Sequence, residues 1–192
     1  LLHWFSRPAG LTHNPPDTTP IQGAVPAMLR FFSLFLAIQG LLFTLNILEP
    51  VRQAIVLPFT AGLARASAWL VTLFDARVHA EGIILRSLEN GFAVSIQPGC
   101  NGIEASIVLI AAILAFPSPW RHKLIGLGIG LVAIQALNLV RIISLFYLGQ
   151  WDIEVFEWAH LYLWQALIML DALVVFVIWV RYIPRPVTAR MA

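Results

Sequence analysis

Long apolar stretches separated by short polar segments make up most of this chain, and four of them predict membrane helices. They cover residues 29–48, 103–116, 124–148 and 160–183. A helix needs about 20 apolar residues to cross a bilayer, so three stretches have the full length and 103–116 predicts a short span. The pattern therefore indicates an all-α integral membrane protein with about four transmembrane helices.

Residues 54–74 form a fifth apolar segment that is harder to assign. Apolar residues recur there at helical spacing, but Pro58 and Arg65 interrupt the apolar character. An arginine at the centre of a bilayer is costly. We therefore predict an amphipathic helix that lies in the interface or re-enters it, and a true span is the alternative.

Residues 76–99 differ from the rest of the chain, because apolar and charged residues intermingle there. Asn90 and Gly91 separate two alternating runs, and this dipeptide favours a tight hairpin turn. The segment predicts a short extracytoplasmic β-hairpin of two strands, which leads directly to Cys100.

The composition indicates that lipid surrounds most of the chain. Of the 192 residues, 59% are hydrophobic and 11% are charged, and the mean hydropathy is +0.82, whereas soluble domains carry about 25% charged residues. We predict one membrane domain at 28–184, a disordered tail or expression remnant at 1–27, and a basic cytoplasmic tail at 185–192. No basic run suggests nucleic-acid binding.

Basic residues near the ends of the predicted spans indicate the orientation, because short cytoplasmic loops are enriched in Lys and Arg. If the first helix starts inside, the inner flanks and tail carry the following basic residues: Arg30, Arg121, Lys123, Arg181, Arg185 and Arg190. The segments around Cys100 and before His160 then lie outside.

Three polar residues fall near the outer ends of three predicted spans. Cys100 precedes the second span, His160 opens the fourth, and Arg141 lies about two turns below the outer end of the third. A thiolate is a nucleophile, and a helix N-terminus lowers the pKa of a thiol. A nearby histidine can accept its proton, and the first free amides of the second span are candidates for an oxyanion hole. We interpret Cys100, Arg141 and His160 as candidate catalytic residues.

Four further residues are candidates for supporting roles in this site. Asn101 adjoins the cysteine, Glu104 and Asn138 can join helices by hydrogen bonds, and Glu157 can orient His160 from one turn away. Structural readings stay open, including a packed cysteine, an interfacial histidine and an arginine paired with an acidic residue. The single cysteine and scattered histidines lack metal-ligand spacing, so we predict no metal and no cofactor.

Three motifs resemble those of the exosortase/archaeosortase family. The run PGCNGIE at 98–104 is similar to its cysteine motif, NLVRI at 138–142 to its arginine motif, and EWAH at 157–160 to its histidine motif. Their order and membrane placement agree over roughly residues 29–183. The short chain and the segment 136–171 look most like exosortase H, a compact subfamily, although the N-terminal tail departs from that pattern.

The resemblance implies a membrane-embedded cysteine protease or transpeptidase with Cys100 as nucleophile, His160 as acid/base and Arg141 as stabiliser. Such enzymes cleave a C-terminal sorting signal of exported proteins, made of a short motif, a membrane helix and a basic tail. The implied signal is of the IPTL-CTERM or PEP-CTERM type, and cleavage through a thioester transfers the protein to an acceptor amine or lipid.

The same resemblance implies a location and a set of partners. The location is the inner (plasma) membrane of Gram-negative bacteria, where the protein is multi-pass and its site faces the periplasm. The partners are proteins with a sorting-signal helix, membrane lipids and an unidentified acceptor. Two other classes remain open, namely a non-enzymatic membrane scaffold or helix-binding chaperone, and a transporter subunit using Arg141 and Asp171 as a charge path.

Overall fold

This computed structural model describes residues 20–75 and 77–183. It contains five helical segments and three short strands, in the following chain order: α1 Pro20–Ile47, α2 Glu49–Thr72, β1 Val78–Glu81, β2 Ile84–Ser87, β3 Ala93–Ser95, α3 Ile103–Ala115, α4 Trp120–Trp151 and α5 Ile153–Arg181. Helix α1 begins within the predicted N-terminal tail. The first part of that tail and all of the predicted C-terminal tail lie outside the described residues.

Helix α3 forms the centre of the bundle and packs against α1, α4 and α5. Its small and aliphatic residues, among them Ala105, Leu109 and Ile113, are buried. Helix α1 runs antiparallel to α3, because the Phe31 ring lies 6.1 Å from Phe116 beyond the end of α3, while Phe43 shares a cavity with residues at its start. The bundle therefore has two distinct ends, which we call the Cys100 end and the Lys123 end.

Four helices are long and apolar enough to cross a membrane: Val25–Ile47 within α1, α2, α4 and α5. The predicted helical membrane class is therefore confirmed, and by length and composition α2 takes the place in this set that the sequence analysis assigned to the span at 103–116. Helix α3 has only 13 residues and extends about 20 Å at 1.5 Å per residue, which is less than the hydrocarbon core. Gly102, whose backbone is in the left-handed conformation, precedes its first residue, and Pro117 and Pro119 follow its C-terminal end.

Helix α2 is long enough to span a membrane, but its second half packs at the Cys100 end. The Thr60 hydroxyl accepts a hydrogen bond of 3.1 Å from Asn101, the neighbour of Cys100. Further along α2, Val71 packs in one cluster with Leu85 of the sheet and Phe146 near the end of α4. These contacts favour the interfacial or re-entrant helix over a true span.

The extramembrane segment forms a three-stranded antiparallel sheet in the order β1-β2-β3, so the predicted two-strand hairpin is one strand short. The turn at Asn90 and Gly91 was predicted correctly and joins β2 to β3. The additional turn begins at Gly82, which has a φ of 56°, and joins β1 to β2. The sheet is attached to the bundle where Asn90 Nδ2 donates to Gln150 Oε1 at 2.9 Å.

Two predicted loops are helical in the structure. The segment from Trp120 to Lys123 is the first turn of α4, and Lys123 Nζ donates to the Leu114 carbonyl at 2.6 Å. The predicted polar loop before His160 shortens to Asp152, whose carboxylate accepts hydrogen bonds from the amides at the start of α5 and caps it. Helix ends whose free backbone groups bond to the Lys123 and Asp152 side chains therefore replace both loops.

Candidate active site

Cys100 lies in a tight turn between the sheet and α3. Gly99 on one side and Gly102 on the other have φ values of 86° and 73°, a region that glycine adopts without strain. The Cys100 amide donates to the Gln97 carbonyl at 2.9 Å, and the Gly99 amide donates to Glu104 Oε1 at 2.9 Å. The glycines and these two bonds fix the position of the sulfur above the start of α3.

The structure brings the three candidate catalytic side chains together at the Cys100 end. Cys100 Sγ lies 2.9 Å from His160 Nε2. Arg141 Nη2 lies 3.5 Å from the same sulfur, and Arg141 Nη1 donates to the Gly99 carbonyl at 3.2 Å. A candidate nucleophile from the turn before α3, a cation from α4 and a candidate proton acceptor from α5 therefore share one small volume.

Arg141 is almost completely buried, with 1% of its surface exposed. The ion pairs among the described residues do not include it, so it pairs with neither Glu104 nor Asp171. A buried cation without a counter-charge is costly. Among the described residues the guanidinium contacts the Gly99 carbonyl and the Cys100 sulfur, and of these two groups only the sulfur can become an anion, which the cation would stabilise.

Burial raises the pKa of the Cys100 thiol above its ordinary value, and the positive charge of Arg141 acts in the opposite direction. The nearby carboxylate of Glu104 adds to the increase. The sequence predicts the opposite, a pKa lowered by the helix N-terminus. Helix α3 begins only at Ile103, and the helix-terminus effect is confined to the first turn, so desolvation dominates.

His160 lies in a π-helical turn, Ala159–Leu163, within α5. Such turns are frequently found at functional sites. The imidazole stacks on Phe156, with ring centroids 5.7 Å apart and planes at 20°. Glu157 is exposed and forms no hydrogen bond with His160 in the described structure, so Phe156 rather than Glu157 orients the ring. The sequence analysis missed Phe156, although its position one turn before His160 was visible.

Asn101 and Glu104 hold the turn that carries Cys100. Asn101 is 1% exposed and links Thr60 of α2 to the amide of Ile103, which donates to Asn101 Oδ1 at 3.1 Å. Glu104 reaches back to the Gly99 amide. Both residues therefore support the site structurally, and Thr60 is a contributor that the sequence did not reveal.

Asn138 is fully buried below this turn, and neither of its side-chain polar atoms has a hydrogen-bond partner. It faces Gly102, where an added Cβ would lie 3.2 Å from Asn138 Cγ and 3.0 Å from Gln135 Nε2. The close approach explains the need for glycine at 102. Asp171 is not part of the site, because it lies about 16 Å from His160 along α5.

No group of three or more His, Cys, Asp or Glu residues in the described ranges is placed to hold a metal ion. The Cys–His pair and its arginine are instead typical of sites in which a thiol attacks a substrate and the histidine transfers the proton. Fold and site together define a small multi-helix membrane protein with a candidate thiol-based active site at one end.

A sequence model of the transmembrane exosortase family (Exosortase_EpsH) matches residues 23–179. The chain therefore belongs to this family, which confirms the resemblance seen in the motifs. Family membership assigns it, at that level, to the membrane transpeptidases and proteases. No curated protein and no solved structure matches the chain significantly. The likeness to the exosortase H subfamily stays a prediction.

Proposed function

We propose that the protein is a cysteine transpeptidase in which Cys100 is the nucleophile. The observation that carries this proposal is the contact of 2.9 Å between Cys100 Sγ and His160 Nε2. The buried guanidinium of Arg141, 3.5 Å from the same sulfur, supports it. A helix-binding scaffold would not need a buried cation beside a thiol.

The first half of the reaction is acyl transfer to the sulfur. His160 Nε2 accepts the thiol proton while the sulfur attacks the carbonyl carbon of the scissile peptide bond. The C–S bond forms, and the carbonyl oxygen becomes an oxyanion. His160 then donates the proton to the leaving nitrogen, the C–N bond breaks, and a thioester on Cys100 and a free amine remain.

The second half returns the enzyme to its starting state. An acceptor amine attacks the thioester carbonyl, His160 removes its proton, and the C–S bond breaks. The sulfur leaves as a thiolate and regains a proton from His160. Attack by water instead of an amine would give hydrolysis, so access of the acceptor to the Cys100 end decides between transfer and cleavage.

Arg141 is the proposed oxyanion stabiliser. The amides of Gly99, Cys100 and Ile103 donate hydrogen bonds within the turn. These three amides are therefore not free to stabilise an oxyanion. The guanidinium lies between the Gly99 carbonyl and the sulfur. A donor positioned beforehand in a site of low dielectric stabilises developing charge strongly.

The proposed substrates are exported proteins that end in a sorting signal of the IPTL-CTERM or PEP-CTERM type, and the acceptor is an amine or a lipid. The proposed location is the bacterial inner membrane, with the Cys100 end facing the periplasm. Charge supports this orientation, because Arg30, Arg121, Lys123 and Arg181 lie toward the Lys123 end.

The proposal is tested by trapping the acyl-enzyme. An exported reporter that ends in such a signal is expressed with the protein, and Cys100 peptides are analysed by mass spectrometry after rapid acid quenching. We expect a thioester between Cys100 and the new C-terminus of the reporter. Reporter cleavage should fall at least about a thousandfold in Cys100→Ala, because the activated nucleophile is lost.

A matched set of variants separates chemistry from folding. His160→Gln should still insert in the membrane but lose the acyl-enzyme, whereas exposed Glu157→Gln should keep normal cleavage. Normal reporter processing by Cys100→Ala, in membranes that contain the variant at the usual level, would refute the cysteine mechanism.

A further inference from the structure

An apolar groove runs along the membrane face of the bundle, with α1 and α5 as its walls and α3 as its floor. Its lower part is a cavity of about 230 Å³ lined mainly by aromatic and aliphatic side chains, including Phe35, Leu109 and Met169. Its walls come from helices that are long enough to cross a membrane, while α3 is short. The groove therefore lies alongside the membrane-spanning parts of α1 and α5.

The upper part of the groove reaches the candidate active site. A second cavity of about 170 Å³ shares Met169 with the lower one and includes Gly99, Glu104 and Gln165 in its lining. Gly99 directly precedes Cys100, and Gln165 follows His160 by little more than one turn of α5. The apolar groove therefore ends beside the sulfur.

Glu104 places a carboxylate with one unpartnered oxygen at this upper end. Its Oε1 accepts the Gly99 amide, but its Oε2 is buried and has no hydrogen-bond partner. A buried carboxylate oxygen without a donor is unfavourable. The upper end of the groove therefore holds an acceptor that an entering N–H donor can satisfy.

We propose that this groove binds the transmembrane helix of the substrate, with the first turn of that helix at Glu104. This inference rests on the proposed function, because it assigns the place where the sorting signal docks. The scissile bond, just before the helix, then lies over Cys100. The helix is the part released as the amine product.

The chemistry of a helix N-terminus fits this position. The first four amide N–H groups of a helix have no partner within the helix, and leaving them unsatisfied at membrane depth is costly. Glu104 Oε2 supplies an acceptor, and its negative charge interacts favourably with the positive end of the helix dipole. The apolar walls match the lipid-facing side chains that such a helix carries.

Two other cavities in the described structure are poorer candidates. A cavity of about 440 Å³ between α1, α2, α3 and α4 reaches up to Ile103 and Gln135, and its lining does not include Gly99. A cavity of about 400 Å³ between α4 and α5 lies toward the Lys123 end, beside His122 and Ile129. Neither brings a bound helix to the sulfur.

Photocross-linking distinguishes the groove from the two alternative cavities. Benzoylphenylalanine is placed at Phe35, Met169, Ile55 or Ile129, each in a Cys100→Ala background that cannot consume an IPTL-CTERM reporter. We expect cross-links to the reporter helix from Phe35 and Met169, at least tenfold above those from Ile55 and Ile129. Cross-links from Ile55 or Ile129 instead, or from none of the four, would overturn the groove as the docking site.

Processing of the same reporter by the unsubstituted protein is measured in parallel. Processing without cross-links at Phe35 and Met169 would remove the docking site and leave the proposed function intact. Cross-links at both positions without processing would remove the proposed function and support the docking site.

Glu104→Gln tests the capping contact. Glutamine keeps one oxygen for the Gly99 amide but loses the second acceptor, so we expect reporter cross-linking at Met169 and processing to fall about tenfold. Alkylation of Cys100 without substrate should not slow, because Glu104 raises the thiol pKa. Unchanged processing and cross-linking, or losses matched by slower alkylation, would overturn the capping role.

Discussion

At the scale of single residues, the site depends on how Arg141 and burial compete for the charge on Cys100. Burial raises the thiol pKa, and the nearby guanidinium lowers it. His160 can accept the thiol proton, because its Nε2 lies 2.9 Å from the sulfur. The resting site therefore holds a thiol, and the arginine makes the thiolate accessible when a substrate arrives.

This balance predicts how fast Cys100 reacts with iodoacetamide. Removing the positive charge in Arg141→Ala raises the thiol pKa further, so less thiolate is present at any pH below it. Alkylation at pH 8 should slow by roughly tenfold for each unit of pKa increase. Rates measured by mass spectrometry across a pH series would show the inflection moving to higher pH.

Arg141→Lys is the matched control, because it keeps the charge and loses the bond geometry of the guanidinium. It should react faster than Arg141→Ala at pH values below the thiol pKa. Equal rates for the unsubstituted protein and Arg141→Ala would show that the cation does not act on the sulfur.

At the scale of helices, the glycines of α4 separate into two kinds. Gly126, Gly128 and Gly130 recur at every second position of α4, and small residues of this kind allow close helix packing in membranes. In the structure a Cβ at Gly126 would overlap Trp179, and one at Gly130 would lie 2.6 Å from Leu109 Cδ2, whereas Gly128 has open space around it. Spacing alone could not reveal which glycine faces a partner.

Gly126→Ala should therefore destabilise the packing of α4 against α5. The added methyl would displace the Trp179 indole, whose Nε1 donates to the His122 carbonyl at 2.9 Å. Overpacking of this kind costs about 1–3 kcal/mol. Thermal unfolding in detergent should show a lower midpoint for this variant.

Gly128→Ala provides the internal comparison on the same helix. Because its Cβ would meet no other atoms, it should be neutral or stabilise the helix by up to about 1 kcal/mol. A midpoint for Gly126→Ala equal to that of Gly128→Ala would contradict the packing argument.

At the scale of the whole molecule, the sequence revealed what depends on hydropathy and missed what depends on contacts. The helical membrane class, the turn at Asn90 and the proximity of the three catalytic candidates follow from local patterns and span order. The contacts of Thr60 and Phe156 with the site could not be predicted from such patterns. The contact of Thr60 depends on how α2 packs, and that of Phe156 depends on a local π-helical turn. The additional strand results from the turn that begins at Gly82, a single glycine that does not by itself predict a hairpin.

The position of α2 is the point at which hydropathy and packing disagree, and it determines the topology. Its length and composition suit a span, but its contacts with Asn101, Leu85 and Phe146 keep it at the Cys100 end. Both of its ends should then face the same side of the membrane. The Lys123 end should face the other side.

Labelling of single cysteines tests this arrangement, since Cys100→Ala leaves the chain without any cysteine. In that background we expect Glu49→Cys, Phe74→Cys and Glu89→Cys to react with a membrane-impermeant maleimide from the periplasmic side. Arg121→Cys should react only after the membrane is permeabilised. Labelling of Glu49→Cys and Phe74→Cys from opposite sides would make α2 a true span and would overturn this arrangement.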